Sequence, residues 1–197
     1  MIYVGSLKQV VDEASKFKKI AGGLTGAASE SIKQGVKGFY KGTGYGSAVG
    51  ALIGSTGGPL GAITGSIGGA GLGGTAGTIY GTAKGAYQGF KHGYDRLYDD
   101  TDDIKSGLKK FGKVAGDTAI TAGSTYLAGR NPSKIGMFLG GLRGGLPGAI
   151  AGGGYGQAKW TNFGYDAGRA LSHDFKLDKH SANRFVNPNE KKSKAKK

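Results

Sequence analysis

Apolar residues recur at helical spacing in two stretches of the chain, and glycine takes over the periodicity elsewhere. From Leu7 to Leu24, Val10, Val11, Ala14, Phe17, Ile20, Ala21 and Leu24 return every three or four positions, while Lys8, Lys16, Lys18 and Lys19 supply charge. A second stretch repeats this with Ile104, Leu108, Phe111, Ala115 and Ile120 beside Lys105, Lys109, Lys110 and Lys113. Both predict basic amphipathic helices. Between Gly42 and Ala83 there is no Asp, Glu, Lys, Arg or His at all. In that region the repeating residue is glycine.

The glycines fall on every fourth position. One ladder holds Gly38, Gly42, Gly46, Gly50, Gly54 and Gly58, and a second runs Gly57, Gly61, Gly65, Gly69, Gly73, Gly77, Gly81, Gly85, Gly89 and Gly93. A third runs Gly136, Gly140, Gly144, Gly148, Gly152 and Gly156, then Gly164 and Gly168, with Trp160 in the one interrupted slot. Each glycine inside a helix costs about 0.8–1 kcal/mol relative to alanine, so an isolated helix of this kind is unstable. Close backbone contact between helices offsets that cost, through dispersion and weak Cα–H···O bonds. The ladder positions are therefore the expected helix-packing residues.

Turn chemistry divides the ladders into hairpins. Gly57 and Gly58 supply a turn before Pro59, which suits the first turn of a helix, so helices are expected over about 31–55 and 59–97. The matching break lies between Gly144 and Pro147, with helices over about 132–143 and 147–171. The two halves repeat one order of parts. Phe17-Lys18-Lys19-Ile20-Ala21-Gly22 parallels Phe111-Gly112-Lys113-Val114-Ala115-Gly116, and Gly58-Pro59-Leu60-Gly61-Ala62-Ile63 parallels Leu146-Pro147-Gly148-Ala149-Ile150. The predicted fold is all-α, with tandem units at 1–98 and 104–180, each a basic helix followed by a glycine-zipper hairpin. An acidic linker at 99–103 joins them, and a disordered basic tail occupies 181–197. The linker reads as an N-cap with acids in the first turn; it lacks the spacing of a calcium loop.

Composition narrows the possible functions. Glycine makes up 42 of 197 residues, hydrophobic residues only 38%, and the formal charge is +14. A thin aliphatic core and this positive balance favour acidic partners such as anionic lipid or nucleic acid. Lys16, Lys18, Lys19, Lys109, Lys110 and Lys113, with Lys191, Lys192, Lys194, Lys196 and Lys197 of the tail, are the candidate contacts. The tail lacks the interleaved aromatics of a base-stacking platform. Cysteine is absent, which excludes disulfides and thiolate chemistry. His92, His173 and His180 have no metal-binding or catalytic spacing, and neither a phosphate loop nor a nucleophile elbow is present. The sequence thus points to a non-enzymatic protein without metal or cofactor.

Membrane contact is the reading the patterns favour. The apolar residues between Pro59 and Ala83 are only Leu60, Ile63, Ile67, Leu72 and Ile79, which drive insertion weakly although the length suffices to span. Basic helices with Phe and Leu on one face fit an interfacial binder, or equally a helix that packs its apolar side on the hairpin. Tyr80, Tyr87, Phe90, Tyr94, Tyr98, Tyr155, Trp160, Phe163 and Tyr165 collect at the far ends of the long helices, as an interfacial belt or ordinary packing would place them. No hydrophobic leader follows the N-terminus, so no cleavable signal is expected.

The ladders and the Gly-Gly-Pro-Leu-Gly-Ala-Ile-Thr-Gly turn at 57–65 resemble those of glycine-zipper membrane proteins. That class includes pore-forming bacteriocins and proteins that tailed bacteriophages eject from the virion into the host envelope. The resemblance covers about 100 residues and carries no catalytic positions. It implies homo-oligomers that perforate or form a channel in a membrane. Length, duplication and the missing leader set the chain apart from small bacteriocins and toward an internal virion protein. Its expected partners are then other copies, virion proteins and the host envelope, with non-specific nucleic acid at the tail. A soluble scaffold that uses the zipper for packing is the alternative.

Overall fold

The computed structural model describes residues 3–98, 104–131 and 133–185, with side chains from residue 13 onward. The described chain is all-helical. Helix α1 spans Tyr3–Gly54, α2 Gly58–Arg96, α3 Ile104–Gly129 and α4 Lys134–Asp174, with short 3₁₀ turns at Ser55–Gly57 and Asp178–His180. The acidic linker 99–103 and the lysines at 191–197 lie outside the described residues.

Helices α1 and α2 form a long antiparallel hairpin whose contact line is the glycine ladder. Gly22 faces Gly93, Gly26 faces Gly89, Gly38 faces Gly77, and the pairing continues through Gly42 with Gly73, Gly46 with Gly69, Gly50 with Gly65 and Gly54 with Gly61. Four residues up one helix match four residues down the other at every step. At these positions an added methyl group would run into the backbone carbonyl opposite: on Gly46 it would sit 2.8 Å from the carbonyl carbon of Gly69. Only glycine permits such an approach, which is why the repeat is needed. Gly58 makes the reversal with φ 77°, and Pro59 follows in the first turn of α2.

Helix α4 is itself a bent hairpin. Gly144 (φ −134°, ψ 18°) and Gly145 (φ 57°, ψ −145°) leave helical geometry, and Pro147 opens the second arm. Gly136 then faces Gly152, and Gly140 faces Gly148. The third ladder does not continue along one partner. Gly156 meets Ser133, while Gly164 and Gly168 pack on Ala128, Ser124 and Thr121 of α3. Trp160 points away from that seam and is nearly half exposed.

Two expectations are corrected. The basic stretch 7–24 and the first hairpin arm are not successive elements; α1 passes through both without a break. Nothing between Thr25 and Glu30 interrupts helix, and Thr25 folds its hydroxyl back onto the carbonyl of Ala21 at 2.9 Å. In the second half the parallel elements are separate, with Ser133 capping α4 by accepting from the Gly136 N–H at 3.1 Å. The second correction concerns residues 181–185, expected to begin a disordered tail. Ser181 is buried, and Asn183 and Phe185 are hydrogen-bonded to acidic side chains of the bundle.

Directions of packing follow from the contacts. Tyr45 stacks near Tyr155 and Gln34 reaches Tyr165, so α4 runs antiparallel to α1. Gly168 meets Thr121 whereas Gly164 meets Ala128, so α4 is antiparallel to α3 as well. Helices α1 and α3 are therefore parallel, with Ser29 level with Thr118 and Tyr40 level with Gly129.

Candidate functional site

The distribution of polar and apolar side chains is inverted. Among the described residues the buried hydrophobic side chains larger than alanine are Leu97, Val114 and Tyr165. The interior is otherwise glycine, alanine, serine and threonine, which suits helices that approach backbone to backbone. The large aliphatic and aromatic side chains stand on the outside. Leu60, Ile67 and Leu72 along α2 are 77%, 68% and 78% exposed, and Ile104, Leu127, Phe138 and Leu142 are exposed to a similar degree. Burying one such side chain is worth about 1.5–3 kcal/mol, so a surface of this composition is stabilised by whatever covers it.

At the centre lies a charged network that the sequence reading did not single out. Glu30 and Lys33, one helical turn apart on α1, are each 1% exposed and form an ion pair at 2.5 Å. The Lys33 ammonium also donates to Asp117 of α3 at 2.7 Å and to the Ser181 hydroxyl at 2.9 Å. Ser172 of α4 donates to Asp117 at 2.5 Å, Ser181 donates to Glu30 at 2.8 Å, and the Asn183 amide donates to Glu30 at 2.6 Å. Burial of charge is costly unless each group is paired and hydrogen-bonded, and here every member is. The network joins α1, α3, α4 and the segment after the Asp178–His180 turn. Asp178 closes it, with its carboxylate 3.0 Å from His173 Nδ1 and accepting from the Phe185 N–H at 3.2 Å.

A trace of this centre exists in the sequence. Counting by fours from Gly22 and Gly26 leads to Glu30 and Gln34 before the glycines resume at Gly38. These two polar residues take ladder slots, and their carbonyls face Gly85 and Gly81 of α2. Gln34 donates to the Tyr165 hydroxyl at 2.9 Å, and the Lys37 ammonium lies 3.9 Å from the centre of the same ring. Burial raises the Tyr165 hydroxyl far above its usual range, and the nearby Glu30 charge acts in the same sense. Burial likewise lowers the Lys37 ammonium from its usual value, with Asp166 opposing the shift. Burial and then Arg96 are the leading causes that lower His92.

Of the predicted contact lysines, Lys16 and Lys18 are exposed and Lys19 is half-buried on α1; Lys109 is exposed, and Lys110 and Lys113 are half-buried, on α3. The parallel register places 16–19 level with 105–108, so the two basic stretches converge at one end of the bundle. The aromatic residues divide: Tyr80, Tyr87, Tyr155 and Phe163 are exposed, whereas Tyr165 is 2% exposed in the interior. Comparison with family models, curated proteins and solved structures finds no match. Among the described residues no three His, Cys, Asp or Glu side chains are grouped to hold a metal ion. No helix there is long and apolar enough to cross a membrane.

Proposed function

We propose that this chain is a non-enzymatic membrane-associating protein that binds anionic bilayers through its apolar exterior and its basic end, and perforates them as an oligomer. The observation that carries this reading is the inversion: Glu30, Lys33 and Asp117 inside, Leu60, Ile67, Leu72 and Phe138 outside. Water favours the opposite arrangement, while a lipid interface rewards this one. In this reading the hairpins lie in the interface as packed units, with the exposed aliphatic side chains among acyl chains. Exposed aromatics at Tyr80 and Tyr87 sit at headgroup level, and the lysines at 16–19 and 105–113 meet lipid phosphates.

The glycine ladders of α1 and α2 face each other within one chain, so copies associate through the exterior side chains. The resemblance to glycine-zipper membrane proteins extends the proposal to a virion protein released into a host envelope for genome delivery, with the tail lysines available to lipid or nucleic acid. Co-flotation with phosphatidylglycerol vesicles holding an entrapped dye tests it. Flotation with concentration-dependent dye release supports the proposal. A chain that stays at the bottom of the gradient refutes it, and the exterior would then be covered by neighbouring proteins in a scaffold.

A further inference from the structure

Between the parallel helices α1 and α3 runs an open groove of about 310 Å³, walled by Ala28 and Ile32 on one side and by Phe111, Val114, Ala115 and Thr118 on the other. Its polar atoms are already satisfied. The Thr118 hydroxyl bonds to the Val114 carbonyl at 2.7 Å and pairs with Ser29 at 2.6 Å, and Thr25 is bonded to its own helix. The groove therefore offers an occupant apolar surface and no hydrogen bond. Ile32 and Phe111, on its two rims, are each 53% exposed.

We propose that this groove holds one acyl chain of an anionic phospholipid, a deepening that rests on the membrane reading above. Size decides against a helix, which is about 10–12 Å across and cannot seat in 310 Å³, whereas a single alkyl chain can. Charge decides the orientation. Toward the C-terminal ends of the two helices the Ser29–Thr118 pair bridges the groove, and beyond it lies the Lys33–Asp117 pair. Toward the N-terminal ends Lys18 falls on the same face of α1 as Thr25, two turns earlier, level with the stretch of α3 that holds Lys105 and Lys109. The alkyl chain lies along Phe111 and Val114, and the phosphate stands at the basic end.

Dodecyl phosphate, used as monomers below its micellar concentration, is the probe, with binding to the full chain followed by calorimetry. One saturable site per chain is expected, weakened at least tenfold by Ala115→Trp, which fills the groove from an exposed position. Leu72→Trp on the outer face of α2 leaves affinity unchanged, and Lys18→Glu with Lys105→Glu weakens it while helicity is retained. Non-saturable uptake, or equal binding by the Ala115→Trp variant, overturns the groove assignment. So does self-association that Ala115→Trp abolishes, because the occupant would then be a second copy. Wild-type chain that floats with vesicles but does not bind the monomer defeats only the groove; chain that does neither defeats the membrane reading.

Discussion

Two neighbouring glycines in α2 separate helix propensity from helix packing. Gly68 has open space where a methyl group would go, whereas on Gly69 the methyl would lie 2.9 Å from the carbonyl carbon of Gly46 and 3.1 Å from Gly50 Cα. Carbon atoms in contact rest at about 3.5–4.0 Å, so the helices must separate by roughly 0.5–1 Å at that level. Such a gap forfeits about a quarter to a half of each dispersion contact along the seam. Overpacking of this kind costs about 1–3 kcal/mol, against a propensity gain of about 0.8–1 kcal/mol for replacing glycine in a helix. Gly68→Ala should therefore stabilise the chain by about 0.5–1 kcal/mol, while Gly69→Ala is neutral to destabilising by about 2 kcal/mol. The assay is guanidinium unfolding followed by circular dichroism, with the midpoint read for each variant. Equal stabilisation by both substitutions would refute the seam, because propensity alone would then account for the ladder positions.

Three further outcomes follow from other parts of the structure. Lys33→Met leaves Glu30 and Asp117 buried without their shared cation, and unfolding measurements should show a loss of about 3–5 kcal/mol. Gly58→Ala should destabilise the first hairpin by about 1–3 kcal/mol because φ there is 77°, whereas Gly57→Ala, also in open space, has no such strain; thermal melts of the two variants distinguish them. His92 holds its proton less tightly when folded, so its contribution to stability is complete above pH about 6.5 and declines as pH falls toward the lowered folded value. Unfolding midpoints across pH 5 to 7.5 should show that slope in the wild type and a shallower one in His92→Gln.

The ladder spacing made the hairpins legible, because a glycine every fourth residue has one structural use and the Gly58-Pro59 and Gly145–Pro147 turns mark where the chain reverses. Whether facing glycines belong to one chain or two was not legible, since GxxxG chemistry is identical in both cases. Trp160 in the third ladder hinted that its later glycines serve a different partner, and Gly164 and Gly168 indeed turn to α3. The charged centre escaped because its members are far apart in sequence: Lys33 meets Asp117 and Ser181 only after three helices have packed. Glu30 and Gln34 in ladder slots were its one local sign. A buried glutamate beside a buried lysine also reads, in sequence alone, as an ordinary solvent-exposed pair one turn apart.

The central claim is that the ladders close within a single chain and leave the apolar exterior free for lipid. The chain has no cysteine, so an introduced pair reports on this directly. A Cβ on Gly35 would lie 4.0 Å from that of Thr82, within the range of about 3.5–4.5 Å that a disulfide needs. Gly35→Cys with Thr82→Cys, oxidised with and without phosphatidylglycerol vesicles, should give an intramolecular disulfide and a fast-migrating monomer on a non-reducing gel in both conditions. Disulfide-linked dimers and higher species in place of that monomer would contradict the account, because the ladder would then be joining separate copies.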